Sequence, residues 1–96
     1  MGAEQRKETR YTVELPVDME ETSGVTRDLS TSGVFFETDK SFTPGQTIEF
    51  SINFINNSYP ILLKCVGEIV RIENKGQKIG VAASISSYGV EKVEGR

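Results

Sequence analysis

Residues 47–54 read TIEFSINF, and this stretch decides the fold class. Single polar residues separate its apolar residues, so every second side chain points to the same side of an extended chain. The apolar set is Ile48, Phe50, Ile52 and Phe54. A period of two predicts a β-strand with one face in a core and the other in water.

Similar patterns of alternating or β-forming residues occur on both sides of this strand. They predict further strands at residues 12–19, 25–29, 33–38, 61–72 and 79–85. Pro16 predicts that the first strand lies at a sheet edge or is unpaired on that side, because proline has no N–H for a ladder. Gly67 predicts a bulge or a bend in the long fifth strand, and Gly76 predicts a hairpin turn before the sixth. Six short strands with almost no helical pattern predict an all-β antiparallel barrel or sandwich.

The length and the apolar pattern of the chain limit its class. Its 96 residues fit one compact domain. It has no apolar run that could cross a bilayer, and its first residues are polar with mixed charge. We therefore expect no membrane insertion, no secretory signal and a cytoplasmic location. The single cysteine, Cys65, lies in an apolar stretch and is interpreted as a small buried hydrophobic residue.

Several residue types and motifs that catalytic and metal sites commonly need are missing. The chain has no histidine, the commonest general base and metal ligand. It has no Walker-type phosphate loop and no serine nucleophile elbow. The spacing of its acidic residues selects no catalytic pair. We expect a protein that is not an enzyme and that holds no metal and no cofactor.

The charge distribution favours a small anionic ligand. The net charge is −3, whereas proteins that hold long nucleic acids usually have a broad basic face. Positive charge is concentrated instead in the segment Gln5-Arg6-Lys7-Glu8-Thr9-Arg10. A short cationic segment of this kind suits a compact anion better than a polymer, so we expect no long nucleic acid as partner.

Two motifs stand out around the second predicted strand. Arg6 and Arg10 have the spacing Arg-x-x-x-Arg, and residues 28–33, DLSTSG, have the spacing Asp-x-Ser-x-x-Gly. In this order the two motifs resemble the signature of PilZ domains. Residues 67–71, GEIVR, and 79–81, IGV, are similar to the later strands of that family. The resemblance therefore covers most of the chain, from Arg6 to Ile85.

This resemblance implies a fold and a function. The fold is a small six-stranded antiparallel split β-barrel at residues 12–85, after a flexible leader at 1–11 and before a tail at 86–96 with at most a short helix near 90–93. The function is that of a bacterial receptor or adaptor for the second messenger cyclic di-GMP. Ligand binding rearranges the leader, and the domain thereby signals to a downstream protein partner. The implied ligand-binding residues are Arg6, Arg10, Asp28, Ser30 and Gly33. Secondary candidates are Gln5, Lys7, Arg27 and Arg71.

The chemistry of these residue types agrees with a guanine ligand. Guanine has two acceptors on its Hoogsteen edge, and an arginine guanidinium matches them with parallel N–H donors. Asp28 can accept guanine N–H groups or hold an arginine in place, and Ser30 can donate its hydroxyl to a phosphate or a base. Gly33 has no Cβ, so the backbone can approach the ligand closely.

Two features differ from the family pattern, and two other functions stay open. Residues 81–83, VAA, stand where many members have a bulky aromatic residue. The C-terminal helix is short or missing, so we consider a homo-oligomer that covers apolar surface. One alternative function is a protein-interaction module that binds no nucleotide, although this chain keeps both motifs. The other is a small barrel for single-stranded nucleic acid, which the net negative charge and inward-facing Phe residues disfavour.

Overall fold

The computed structural model describes residues 9–56 and 59–92, and the regular structure in these ranges is all β-strand. No helix in these ranges has the length and the apolar character to cross a membrane. The strands are β1 (Tyr11–Thr12), β2 (Pro16–Met19), β3 (Ser23–Leu29), β4 (Gly33–Thr38), β5 (Thr47–Asn56), β6 (Tyr59–Lys75) and β7 (Lys78–Lys92).

Six of these strands close into an antiparallel barrel. Their order is β3-β2-β5-β6-β7-β4, and β4 pairs with β3 to complete the ring. The short β1 adds to the end of β3, with Tyr11 opposite Leu29 and Thr12 opposite Asp28. The predicted six-stranded antiparallel barrel is confirmed, and of the two all-β architectures the sandwich does not occur.

The core follows from the alternation in the sequence. The largest fully buried apolar side chains come from five strands and are Phe36, Ile52, Ile69, Val17 and Val81. The rings of Phe36 and Phe50 meet at 6.1 Å between centroids. Cys65 is buried in the same cluster, and this burial raises the pKa of its thiol to about 11. The cysteine is thus a core residue, as predicted.

The predicted first strand is divided in two. Residues 13–15, between β1 and β2, do not form a strand. Pro16 pairs with Val25 of β3, whereas β5 joins β2 only from Val17 onward. Pro16 therefore has a neighbouring strand on one side only, which is the environment that its missing N–H requires.

The last strand is much longer than the predicted residues 79–85. It runs to Lys92 beside β6, with Tyr88 opposite Cys65 and Val90 opposite Leu63. The short helix expected near residues 90–93 does not form at residues 90–92. These residues pair with β6 in a hydrogen-bonded ladder instead. The pairing with β4 ends at Ser84. Residues 86–92 therefore extend β7 beyond the closed barrel.

Gly67 lies where β6 and β7 change register, although the extra residue of this bulge is on β7 and not on the predicted strand. The shift falls between Val66 and Gly67, and Ser86 is the extra residue on β7. A Cβ atom at Gly67 would overlap the carbonyl oxygen of Ser84. The two backbones can approach this closely only because residue 67 has no side chain.

We expect Gly67→Ala to destabilise the barrel by about 3 kcal/mol or more, because backbone atoms must move to admit the methyl group. Gly89→Ala is the matched control, since a Cβ at Gly89 meets nothing within 4 Å. We expect the control to change stability by less than about 1 kcal/mol. Urea unfolding monitored by circular dichroism measures both, and equal free energies of unfolding for the two variants would contradict this account.

Candidate ligand-binding site

One row of side chains crosses the outer face of the barrel over four neighbouring strands. Asp28 of β3 stands opposite Phe35 of β4, Phe35 opposite Ala82 of β7, and Ala82 opposite Arg71 of β6. Three steps between strands separate the ends of this row, which is about 14 Å. The row therefore brings an acidic and a basic residue to opposite sides of one surface.

One extra residue in each of two strands turns the side chains of Asp28 and Arg71 outward. Thr26 and Ile69 are fully buried, and in a regular strand Asp28 and Arg71 would face the same side as the residue two positions earlier. Instead β3 has an extra residue, Arg27, and β6 has an extra residue, Val70. Each bulge shifts the alternation by one position. Both charged side chains consequently lie on the outer face.

A groove with a volume of about 450 Å³ lies along this row. Its floor contains the small residues Gly33, Ala82 and Ser84, which are contributed by β4 and β7. Gly33 and Ser84 pair directly across the two strands. Small side chains on the floor leave room for a flat ligand to approach the sheet.

Arg10 and Asp28 form one wall of the groove. The Arg10 Nη2 atom lies 2.8 Å from the Asp28 Oδ1 atom, and the two side chains are 59% and 31% exposed. β1 holds Arg10 close to this position, because Thr12 pairs with Asp28 itself. Such an exposed pair contributes less than about 1 kcal/mol to stability. Its clearer effect is to orient the guanidinium at the edge of the groove.

Arg71 forms the opposite wall with two partners. Its Nε atom donates to the Glu73 carboxylate at 2.9 Å. Its Cζ atom lies 5.9 Å from the centroid of the Phe35 ring, and the Lys75 Nζ atom lies 5.4 Å from the same centroid. The Phe35 ring thus attracts two cations through cation–π contacts. These contacts orient a second guanidinium beside the groove.

The Asp-x-Ser-x-x-Gly loop positions these groups through its backbone. The Ser30 N–H donates to the Gly33 carbonyl at 2.9 Å, and the Ser30 hydroxyl lies 3.4 Å from the same oxygen. Ser30 is only 6% exposed. Its hydroxyl is therefore used inside the loop, and Ser32 and Gly33 line the groove instead. The Ile85 N–H donates to the Ser32 carbonyl at 2.9 Å and attaches the loop to β7.

Other predicted site residues have different positions. Arg27 lies on the outer face but pairs with Glu14, at 2.9 Å between Nη1 and Oε2, and does not line the groove. Gln5, Arg6 and Lys7 lie outside the described residues. Phe35 was missed as a site residue, although it alternates with the buried Val34 and Phe36 and this pattern places it outside.

A family model for the PilZ domain matches residues 3–93, which is nearly the whole chain. This chain belongs to the PilZ domain family. PilZ domains are receptor and adaptor modules. The resemblance read from the two motifs is thereby confirmed at the level of the family.

The fold of this PilZ domain is similar to a solved structure, that of the Bacillus subtilis inhibitor of motility, MotI/DgrA. The TM-score is 0.78 and the sequence identity is 18%. The match covers 91% of this chain and 45% of that protein, so the chain spans less than half of its neighbour's length. At this identity the similarity shows the fold. No curated protein matches the chain.

The groove offers hydrogen-bond donors, acceptors and a cationic surface. Arg10 and Arg71 provide planar donors, Asp28 and Glu73 provide acceptors, and the residues between them are small or apolar. No cluster of three metal-ligating side chains occurs in residues 9–56 and 59–92. This combination suits a flat, anionic ligand with both donors and acceptors.

A buried hydroxyl connects the irregular segment before β2 to the barrel. The Thr26 hydroxyl accepts the Leu15 N–H at 2.9 Å and donates to the Val13 carbonyl. The Val13 N–H donates to the Arg27 carbonyl at 3.2 Å. Through these bonds the segment that follows Arg10 and β1 is attached to β3 just before Asp28. Thr26 therefore helps to hold Arg10 against Asp28.

Thr26→Val should lower the free energy of unfolding by about 1–3 kcal/mol, because two backbone groups lose their partner while the shape stays the same. Thr12→Val is the control, since Thr12 is exposed. Chemical denaturation measures the difference between the two variants. Equal stability would show that the hydroxyl does not hold this segment.

Proposed function

We propose that this PilZ domain is a receptor for cyclic di-GMP that binds the dinucleotide in the groove and passes the signal to a protein partner. The observation that supports this most strongly is the 2.8 Å contact between Arg10 and Asp28 at the groove wall. It brings together one residue from each of the two sequence motifs, 18 positions apart. The family of cyclic di-GMP receptors to which the chain belongs supports the same ligand.

The Arg10 wall has the groups that one guanine needs. A guanidinium can donate two parallel hydrogen bonds to O6 and N7 of the base, or stack on its face. A single ionic contact to Asp28 leaves further N–H donors of the Arg10 guanidinium available for a base. Asp28 can accept from the N–H groups on the Watson–Crick edge. We infer that one guanine binds at this wall.

The Arg71 wall suits the other end of the ligand. The separation of about 14 Å between Asp28 and Arg71 along the row is comparable with the length of a dinucleotide. Arg71 can stack on a purine or contact a phosphate. Gly33, Ala82 and Ser84 leave the floor between the walls open for the ligand backbone. A ligand with two bases and two phosphates can thus contact both walls at once.

The signal, in this proposal, comes from the leader. Arg10 is held near the groove before ligand binds, and we propose that Arg6 contacts the ligand in the bound state. Ordering the leader costs conformational entropy, so we expect an affinity near the micromolar range, about −8 kcal/mol. The bound leader and nucleotide change the surface that a protein partner meets. No catalytic step is part of this role.

Isothermal titration calorimetry with cyclic di-GMP tests the site. Arg10→Lys keeps the charge but loses the planar pair of donors, so we expect binding about ten- to a hundredfold weaker, or about 1.5–3 kcal/mol. Arg27→Ala is the matched control, because Arg27 is an exposed arginine held by Glu14 outside the groove. We expect that control to change the affinity by less than about threefold.

Two results of this titration would reject the site. One is an Arg10→Lys variant that binds cyclic di-GMP with wild-type affinity, which would show that the guanidinium makes no specific contact with the base. The other is an equal loss in Arg10→Lys and Arg27→Ala, which would show a general effect of charge. Single-stranded DNA is titrated in parallel, and DNA binding without cyclic di-GMP binding would favour the nucleic-acid alternative.

Limited proteolysis tests the rearrangement of the leader. Trypsin cleaves after Arg6, Lys7 and Arg10, and we expect saturating cyclic di-GMP to slow cleavage at these sites several-fold. Lys40, which lies outside the groove lining, provides the internal control. Equal cleavage rates at the leader with and without ligand, together with calorimetric binding, would show that binding does not order the leader.

A further inference from the structure

Beyond the barrel, β7 has an outer edge that residues 9–56 and 59–92 leave open. β7 has β6 on one side along its full length, but its pairing with β4 ends at Ser84, where the Ile85 N–H bonds to the Ser32 carbonyl. In the described part of the chain no strand pairs with the other side of residues 86–92. An edge of this kind presents backbone donors and acceptors to another strand.

The open edge has an apolar face that continues the core layer. Tyr88 stands opposite Cys65 and Val90 opposite Leu63, and both Cys65 and Leu63 belong to the core or pack against it. Tyr88 and Val90 are nevertheless 61% and 62% exposed. The core layer of the barrel therefore ends in two uncovered apolar side chains at an unpaired edge.

Between the bulge residue Ser86 and the charged Glu91, this edge lacks the features that usually prevent strand pairing. Residues 86–90, SSYGV, contain no proline and no charge. The charged Glu91 lies on the polar face, where its carboxylate is 3.9 Å from the Lys64 ammonium. The edge is thus chemically able to accept a further strand along its apolar part.

We propose that this edge pairs with the same edge of a second copy of the chain. A two-fold axis through Gly89 gives an antiparallel ladder in which Tyr88 faces Val90 of the copy and Val90 faces Tyr88. Glu91 then faces Ser87, so no like charges meet. Moving the axis to Tyr88 places Val90 opposite Ser86, and moving it to Val90 places Tyr88 opposite a lysine. Only the register centred on Gly89 gives both Tyr88 and Val90 an apolar partner.

In each copy the ends of β5, β6 and β7 continue beyond the barrel as three paired strands. The predicted dimer joins the two sets into one six-stranded sheet. Four apolar side chains, two from each copy, meet at its centre, and Gly89 leaves space at the axis. The paired stretch is short, so the buried area lies at the low end of specific interfaces. We expect a dissociation constant on the order of 100 µM, about −5.5 kcal/mol. The dimer contact is separate from the ligand groove, since it uses residues 86–92 of β7, whereas the groove takes only Ala82, Ala83 and Ser84 from that strand.

Sedimentation velocity over a concentration series measures dimerisation. Charged variants at Tyr88 and Val90, made singly and together, test whether these two residues face each other across the dimer. Tyr88→Lys and Val90→Glu each place a charge opposite an apolar residue, and each should weaken dimerisation at least tenfold. Tyr88→Lys/Val90→Glu places the new ammonium opposite the new carboxylate of the second copy and should restore it. Both sites are mostly exposed in the monomer, so the variants fold. Val25→Lys, on an exposed site of β3, is the control and should leave dimerisation unchanged.

Oxidative crosslinking gives a second measurement. Gly89→Cys should form a disulfide-linked dimer, because position 89 meets itself at the axis, whereas Ser87→Cys should not. Cys65 is buried and does not compete. A monomer at every concentration, a double variant that stays monomeric, or equal crosslinking at both positions would overturn the proposal.

Discussion

The two bulges on β3 and β6 determine where the charges of this PilZ domain stand. A barrel wall must alternate between core and solvent, and an acidic or basic side chain on the wrong side would be buried without water. The extra residues Arg27 and Val70 shift this alternation by one position. Asp28 and Arg71, which follow them, therefore lie on the outer face. The groove, its two walls and the row between them depend on these two local insertions.

Much of the fold could be predicted from alternation and turn residues. The strands around Phe36 and Ile52, the bulge at Gly67 and the turn at Gly76, which has a φ of 70°, all follow from local sequence. The division of the first strand and the length of β7 did not follow. The division of the first strand depends on the buried Thr26 hydroxyl, and the length of β7 depends on pairing with β6. Both are contacts between residues that are distant in sequence.

The candidate site was predictable in part. Arg10, Asp28, Gly33 and Arg71 were named from motifs and resemblance, and the structure brings all four to one groove. The different environments of Arg27 and Ser30 could not be predicted in the same way. Arg27 pairs with Glu14, 13 positions away, whereas Arg71 pairs with Glu73 on its own strand and contacts the Phe35 ring. The Ser30 hydroxyl has a partner within its own loop.

The floor of the groove crosses the seam between β4 and β7, where Phe35 meets a residue 47 positions later in the chain. This seam joins the β3–β4 hairpin to the β6–β7 hairpin, so it closes only after the long segment between them has lost its conformational freedom. A ligand that contacts both walls spans the same seam. Its binding free energy therefore adds to the work needed to open the barrel, and the population of partly opened molecules falls as the ligand concentration rises.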